Sequence, residues 1–181
     1  MADYFQGELS RPAFDEKTNE RLSILFPGCG LGRLVFEMAR RGYRAIGNEF
    51  AYFCLLASYF VLNETEAPEQ CTLYPWIHDW NNLKSDAEAF REVKIPDECP
   101  AQIMETPEKY DFAMAAGEFM DVFGAQTKKW DCIVTCFFID TAHNVLDYMR
   151  TFNKILKVVG LWVNIGPLHW HYSGMQNQVQ V

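Results

Sequence analysis

A chain of 181 residues is long enough to form one domain with a substantial core. Hydrophobic residues make up 49% and aromatics 15%, which argues against disorder. The formal net charge of −8 argues against a nucleic-acid partner, which usually needs a basic face, and suits a neutral or cationic small substrate.

The first ten residues, MADYFQGELS, have neither the basic start nor the apolar core of a signal peptide, and residues 1–20 read as a polar N-terminal arm. Arg21 to Phe26 is predicted as the first strand, a short apolar run that ends in Gly28, Gly30 and Gly32. Leu31 to Arg41 is predicted as a helix, because Leu34, Val35, Met38 and Ala39 recur at helical spacing and Gly42 suits its stop. Arg44 to Gly47 is a second strand leading to Glu49. Phe50 to Leu62 is apolar nearly all round, which predicts a helix covered on both sides, and it is too short to span a bilayer.

From Glu64 to Lys109 the pattern changes, with Pro68, Pro75, Pro96, Pro100 and Pro107 among charged residues. This reads as an irregular insertion at about 64–109 with a short helix near Ser85 to Arg91. Phe112 to Ala116 is a third strand, ending near Gly117 and Glu118. Trp130 to Phe138, WDCIVTCFF, is the strongest strand signal. Thr141 to Leu156 reads as a helix and Gly160 to Ile165 as a fifth strand, ending at Gly166 and Pro167. The domain so read spans 21–172, and 173–181 is a polar tail.

Strands alternating with helices predict an α/β fold with a mostly parallel, Rossmann-like sheet. Ligands on such sheets sit beyond the carboxyl ends of the strands, so the residues to follow are those at strand tips. The six cysteines show no paired spacing and read as reduced thiols of a cytoplasmic chain, with the nucleus as a second compartment. Cys132, Cys136 and His143 invite a zinc reading, but the two cysteines stand ~13 Å apart along a strand, so no metal is expected.

The three glycines let backbone pass close to a ligand, and Glu49 lies about 20 residues past the first, where ribose hydroxyls are bound in such folds. A nicotinamide fingerprint wants G-x-G-x-x-G, whereas here Arg33 takes the third position and the third glycine arrives one residue early. G-x-G-x-G resembles the loop of S-adenosylmethionine-dependent methyltransferases. A tight strand-to-helix turn with no ligand is the plain alternative, as a solvated loop acid is for Glu49.

Past the fourth strand the pattern becomes specific. The segment WDCIVTCFFIDTAHNVLDY, Trp130 to Tyr148, resembles the carnosine N-methyltransferase family. So do LYPWIH (Leu73 to His78), GNEF (Gly47 to Phe50), the PGCGLGRL loop and WVNIGPL (Trp162 to Leu168), in the family's order. The resemblance implies a class I methyltransferase sheet, S-adenosyl-L-methionine as methyl donor, and an imidazole nitrogen of a histidine-containing dipeptide as acceptor. It implies that Gly28 and Gly30 lie under the cofactor and that Glu49 takes the ribose hydroxyls. Glu118 and Phe119 match a pair at the adenine region, where the family carries Asp in place of Glu118. Cys136 would lie beside the cofactor, and Asp140 and His171 match residues that contact the dipeptide.

The chemistry is consistent with these residue types. A neutral imidazole nitrogen is already a nucleophile near pH 7, with a pKa of about 6.5. The protein must align nitrogen, methyl and sulfur and keep the nitrogen unprotonated. Asp140 could fix the tautomer by accepting the other ring N–H, bind the substrate ammonium, or cap a helix starting at Thr141. Cys136 could be a small buried hydrophobe. His143 reads as a helix-surface or core residue.

Two departures from the family stand out. A helical region supplying a Gln and an Arg to the cofactor has no counterpart in the residues before the first strand. The family also continues past the GPL segment with its last strands and dipeptide-binding tyrosines, whereas this chain reaches Val181 in a tail unlike the family. These departures read as a chain truncated at both ends, with an exposed apolar sheet edge that invites aggregation or pairing with another chain, a homodimer included. Three explanations stand side by side: an incomplete gene model or splice product, a degenerate relative inactivated by truncation, or a minimal enzyme completed by oligomerisation. A non-catalytic, methyltransferase-like protein acting through protein–protein contacts is the alternative function, and a nicotinamide oxidoreductase a distant third.

Overall fold

The computed structural model describes residues 20–78, 81, 83–104 and 110–174. All of the N-terminal arm but Glu20, and all but the first two residues of the polar tail, lie outside these. Strand β1 (Ser23–Pro27) is buried at every position, as a central strand covered on both faces must be. Helix α1 (Arg33–Arg40) buries Val35, Phe36 and Ala39 and stops before Gly42, whose φ of 93° reverses the chain. Strand β2 (Arg44–Glu49) leads to α2 (Tyr52–Tyr59), which runs on into a π-helical turn, Phe60–Glu64. Then come β3 (Cys71–Leu73), α3 (Asp86–Ala89), β4 (Val93–Ile95), α4 (Pro100–Ile103) and β5 (Asp111–Ala116). The last elements are α5 (Phe119–Phe123), β6 (Trp130–Cys136), a 3-10 turn (Ile139–Thr141), α6 (Val145–Ile155) and β7 (Leu156–Ile165).

The chain divides into two compact units, one of Met1–Leu55 with Thr106–Val181 and one of Leu56–Glu105. The first holds a five-stranded sheet in the order β5-β2-β1-β6-β7, parallel at every pairing. The α/β, mostly parallel sheet expected from the sequence is therefore what forms. The chain steps outward from β1 through β2 to β5, then returns to β6 on the other side of β1. Strand order reverses between β1 and β6, and it is at the carboxyl ends of such a switch that sheets of this kind bind ligands. The core gathers Leu25, Phe119, Ile133, Phe138, Phe152 and Ile155 with their neighbours.

The second unit has more order than an irregular insertion. Strands β3 and β4 pair antiparallel, with Cys71 opposite Ile95 and Leu73 opposite Val93. The Thr65 hydroxyl donates to the Val61 carbonyl at 2.8 Å, and the Cys99 thiol donates to the Thr65 carbonyl at 3.0 Å. The Arg91 guanidinium lies 4.1 Å from the Trp76 ring centroid, a cation–π contact that anchors this aromatic. Three-residue strands carry too little periodicity to be read from sequence.

Three other expectations need correction. The helix after β2 is not covered on both sides: Phe50 is 73% and Phe53 85% exposed, with Tyr52 exposed beside them. Helix α6 starts at Val145 rather than Thr141, because Asn144 caps it by accepting the Leu146 N–H at 3.1 Å. Strand β7 begins at Leu156, and its register against β6 slips so that Leu156 faces Trp130 and Leu161 faces Cys132. The residues between bulge outward, with Val159 left-handed at φ 60° and strongly exposed alongside Val158. Among the described residues β7 forms an edge of the sheet and exposes Leu161 and Ile165, the apolar edge expected from the sequence. No helix among the described residues is long and apolar enough to cross a membrane.

Candidate functional site

The carboxyl ends of β1, β2 and β5 are joined by a mesh of hydrogen bonds, and the tip of β6 packs against the first of them. After β1 the chain turns through Gly28, Gly30 and Gly32 at φ 63°, 56° and 87°, a left-handed run that side chains with a Cβ resist. The turn is fixed by the Cys29 N–H donating to the Asn48 carbonyl and the Gly32 N–H to the Cys29 carbonyl, both at 3.0 Å. Gly47 leaves room for the Cys29 side chain beneath the loop: a Cβ there would stand 2.7 Å from Cys29 Sγ and 2.6 Å from Met114 Sδ. Burial first, then the charge of Glu49, push the Cys29 thiol up to about 12, so it stays neutral in the folded chain.

Glu49, 9% exposed at the tip of β2, gathers three backbone donors. Its Oε2 accepts from the Gly30 N–H and its Oε1 from the N–H groups of Phe50 and Ala51, each at 2.8 Å. One carboxylate thus binds the glycine loop to the loop that follows β2. The neighbouring Asn48 is buried, and its side-chain amide donates to the carbonyls of Ala115 and Gly117 at 3.1 and 2.9 Å. The Gly117 N–H returns to the Glu49 carbonyl at 3.0 Å. Asn48 escaped sequence reasoning, although a polar residue in a strand buried on both faces is itself a signal of such a bridge.

At the tip of β5, Glu118 caps α5 by accepting the Asp121 N–H at 3.0 Å. Phe119 does not present its ring: it is 2% exposed and packs edge-on against Phe138 and Tyr148, with centroids 5.8 and 5.5 Å away. Arg33 opens α1 and pairs along the helix with Glu37, Nη2 to Oε1 at 3.1 Å. Its side chain therefore runs along α1, and the glycine spacing alone carries the sequence argument against a nicotinamide.

Beyond Cys136, a half-buried free thiol, the chain leaves β6 abruptly. Phe137 takes a left-handed φ of 55°, with its N–H on the Ile165 carbonyl at 2.8 Å. Phe138 then turns inward and stacks on Tyr148 with centroids 4.9 Å apart and planes within 8°. Gly28 packs on this ring so closely that a Cβ would stand 2.4 Å from Phe138 Cδ2. The glycine loop and the β6 tip are thus in direct contact.

Asp140, 3% exposed, does not cap α6. Its Oδ2 accepts the His169 N–H at 2.9 Å, and its carbonyl accepts the His171 N–H at 3.0 Å. Asp140 and His171, far apart in sequence, are therefore joined through the segment after β7. The clamp is strengthened by the His143 ring stacked on Tyr172, centroids 3.6 Å apart. The imidazoles of His169 and His171 remain exposed. Among the described residues no group of three His, Cys, Asp or Glu side chains could hold a metal ion.

Comparison with known proteins adds a family to this geometry. The sequence model described as carnosine N-methyltransferase matches residues 4–181. The chain is 44% identical over 161 residues to the carnosine N-methyltransferase of Rattus norvegicus, covering 89% of this chain and 39% of that protein. It is 46% identical over 158 residues to the carnosine N-methyltransferase unmet of Drosophila melanogaster, covering 87% and 34% respectively. Against the carnosine N-methyltransferase of Schizosaccharomyces pombe it is 40% identical over 161 residues, covering 88% and 43%. The chain spans well under half the length of each of these relatives.

Proposed function

The chain belongs to the carnosine N-methyltransferase family, and from that premise we propose that it is an S-adenosylmethionine-dependent N-methyltransferase. Its acceptor in this reading is an imidazole nitrogen of carnosine or a related histidine-containing dipeptide. The observation that carries the reading is the contact between Gly28 and Phe138. It ties the glycine loop to the segment that, two residues later, holds His171 through Asp140.

The residues present fit the cofactor. A Cβ built on Gly30 meets nothing within 4 Å, so the outer side of the loop is open backbone at the carboxyl end of β1. Glu49 stands beside it with both oxygens already oriented by backbone N–H groups. A carboxylate oxygen has lone pairs to spare, so Glu49 remains able to accept from ribose hydroxyls. In the same reading Gly28 and Cys136 border the methionine end, while Glu118 and the start of α5 border the adenine. S-adenosylmethionine supplies an electrophilic methyl group when bound.

What the chain's own residues contribute is position. A neutral imidazole needs no strong base, since its pKa of about 6.5 leaves it mostly unprotonated at neutral pH. Asp140 accepts from the backbone N–H groups of His169 and His171, so the dipeptide would meet exposed imidazoles whose backbone is held in place, and the gain is the entropy of alignment. The test is direct. The purified chain is titrated with S-adenosylmethionine by calorimetry, and methyl transfer to carnosine is followed by mass spectrometry. Saturable cofactor binding and methylcarnosine are expected; no cofactor binding at millimolar concentration overturns the reading.

A second reading, a methyltransferase-like protein that acts through protein contacts, is favoured by one observation. Strand β7 presents Val158, Val159 and Leu161 to solvent at the sheet edge. Light scattering that finds a stable homodimer or heterocomplex, with no thermal shift from S-adenosylmethionine, would support it instead.

A further inference from the structure

We infer that two copies of this chain join through the outer edge of β7, antiparallel about a two-fold axis at Val163, so that their sheets run on as one. The inference names the partner, the register and the contacting residues, and it holds whether or not the chain transfers methyl groups.

The direction of the backbone sets which residues can pair. The Ile165 carbonyl accepts the Phe137 N–H at 2.8 Å and the Val163 carbonyl accepts the Thr135 hydroxyl at 3.3 Å, so both turn toward β6. Successive residues of a strand turn their N–H and C=O groups to opposite edges. Trp162 and Asn164 therefore turn theirs outward, along an edge where no described strand lies. Side chains alternate in the same way between the two faces. Trp162 packs on Phe152, with centroids 5.1 Å apart, and its indole N–H donates to the Thr135 hydroxyl at 2.9 Å. Leu161, Val163 and Ile165 are left on the opposite face, where Leu161 is 52% and Ile165 43% exposed.

This pattern is its own complement. With the axis at Val163, Trp162 of one copy lies opposite Asn164 of the other, and the two exchange N–H···O bonds on both sides of the axis. Leu161 then lies opposite Ile165, and Val163 opposite itself. These are the non-hydrogen-bonded pairs, in which side chains stand closest, and all of them are apolar. The same axis brings the exposed bulge, Val158 and Val159, toward the exposed Leu168 of the other copy. A shared patch that is self-complementary in this way is what a two-fold interface requires.

Charge favours the same place. Edge strands are commonly protected by lysine or another charge, yet no residue from Val158 to Leu168 is charged. Two copies of a chain of net charge −8 repel, so they meet most readily where the surface carries no charge. The bulge interrupts regular pairing at the amino end of β7, which confines the ladder to Leu161–Ile165 and fixes its register.

The test uses the full, ligand-free chain in sedimentation velocity at rising concentration, where a monomer–dimer equilibrium is expected. Val163→Lys and Val163→Glu each set like charges across the axis and are expected to weaken dimerisation about tenfold. An equal mixture of the two is expected to recover it, since opposite charges then face each other. Val163→Cys perturbs the fold less, and decides the matter if circular dichroism shows the charged variants unfolded. A non-hydrogen-bonded pair sets its Cα atoms about 4.5 Å apart, within reach of a disulfide. Glutathione disulfide, which takes up the electrons and protons, is therefore expected to link Val163→Cys chains through position 163, with the native chain as control. A monomer at every concentration overturns the proposal. So does a dimer that the folded Val163→Lys variant leaves intact, a charge mixture no tighter than either variant alone, or a Val163→Cys chain that does not link.

Discussion

Replacing Gly28 by alanine tests the contact on which the functional reading stands, and Gly30 supplies its internal control. Both residues are left-handed, at φ 63° and 56°. Alanine in that region costs about 1–2 kcal/mol, and this term applies to both variants. Only Gly28 has a neighbour in the way: its Cβ would meet Phe138 Cδ2 at 2.4 Å, Cγ at 3.2 Å and Cβ at 3.3 Å. The ring cannot swing aside, because Tyr148 stacks on it at 4.9 Å and Phe119 abuts it at 5.8 Å. Overpacking of this kind costs about 1–3 kcal/mol. Gly28→Ala is therefore expected to lose about 3.5 kcal/mol against about 1.5 kcal/mol for Gly30→Ala. In a chain of this size those losses lower Tm by about 7–14 °C and about 3–6 °C respectively. Differential scanning calorimetry of the ligand-free chain gives both numbers. Equal shifts for the two variants would refute the argument that Phe138 is wedged against the glycine loop.

Two further predictions concern carboxylates. Glu49→Gln turns one of the acceptors into a donor facing a backbone N–H, at a group that accepts from Gly30, Phe50 and Ala51. Losing one charge-assisted bond costs about 2 kcal/mol, so Tm of the ligand-free chain should fall by about 4–8 °C; an unchanged Tm would mean Glu49 does not hold the loops together. For Asp131, burial alone would raise its pKa, but hydrogen bonds from Lys157 and from the Ser23 N–H and hydroxyl outweigh it and hold the carboxyl below its ordinary value. A depressed folded-state pKa gives stability that is present above the unfolded value of about 3.9 and lost as pH falls through the folded one. Urea denaturation at stepped pH should show this acid limb in the native chain and a shallower one in Asp131→Asn; identical slopes would exclude Asp131 as its source.

The strand tips were legible in the sequence because each feature there has a local cause. Three glycines within five residues announce a left-handed turn, and the acid at the end of the next strand announces a partner for it. The sequence reading sets Glu49 against ribose hydroxyls; the structure adds that its carboxylate accepts the Gly30 N–H. What was not legible depended on which element covers which. The Phe50 to Leu62 run was read as a helix covered on both sides, because apolar composition records a preference for burial but not the surface that satisfies it. The role of Asp140 was hidden for a related reason. An Asp next to Thr141 looks like a helix cap, and only the return of the chain after β7 brings the His169 N–H to its carboxylate. Asn144 caps α6 in its place.

The β6 tip is held from both sides, and this explains why so small a segment can carry so much of the site. On one flank the turn after β1 brings Gly28 against the Phe138 ring; on the other the turn after β7 brings Gly166 against the Phe137 backbone. A Cβ at either glycine would collide with this pair of phenylalanines. Hydrogen bonds then pin the segment along its length, from the Phe137 N–H on Ile165 to the Asp140 carbonyl under His171. The proposed reaction, transfer of a methyl group between two atoms in line, would tolerate little misplacement, since an error of about 1 Å can cost about a hundredfold in rate. A loop free on either side would not meet that demand. Wedged between two glycine turns of flanking strands, this one inherits the rigidity of the sheet, and the left-handed backbone of Phe137 is the strain that remains at the point where the segment is held hardest.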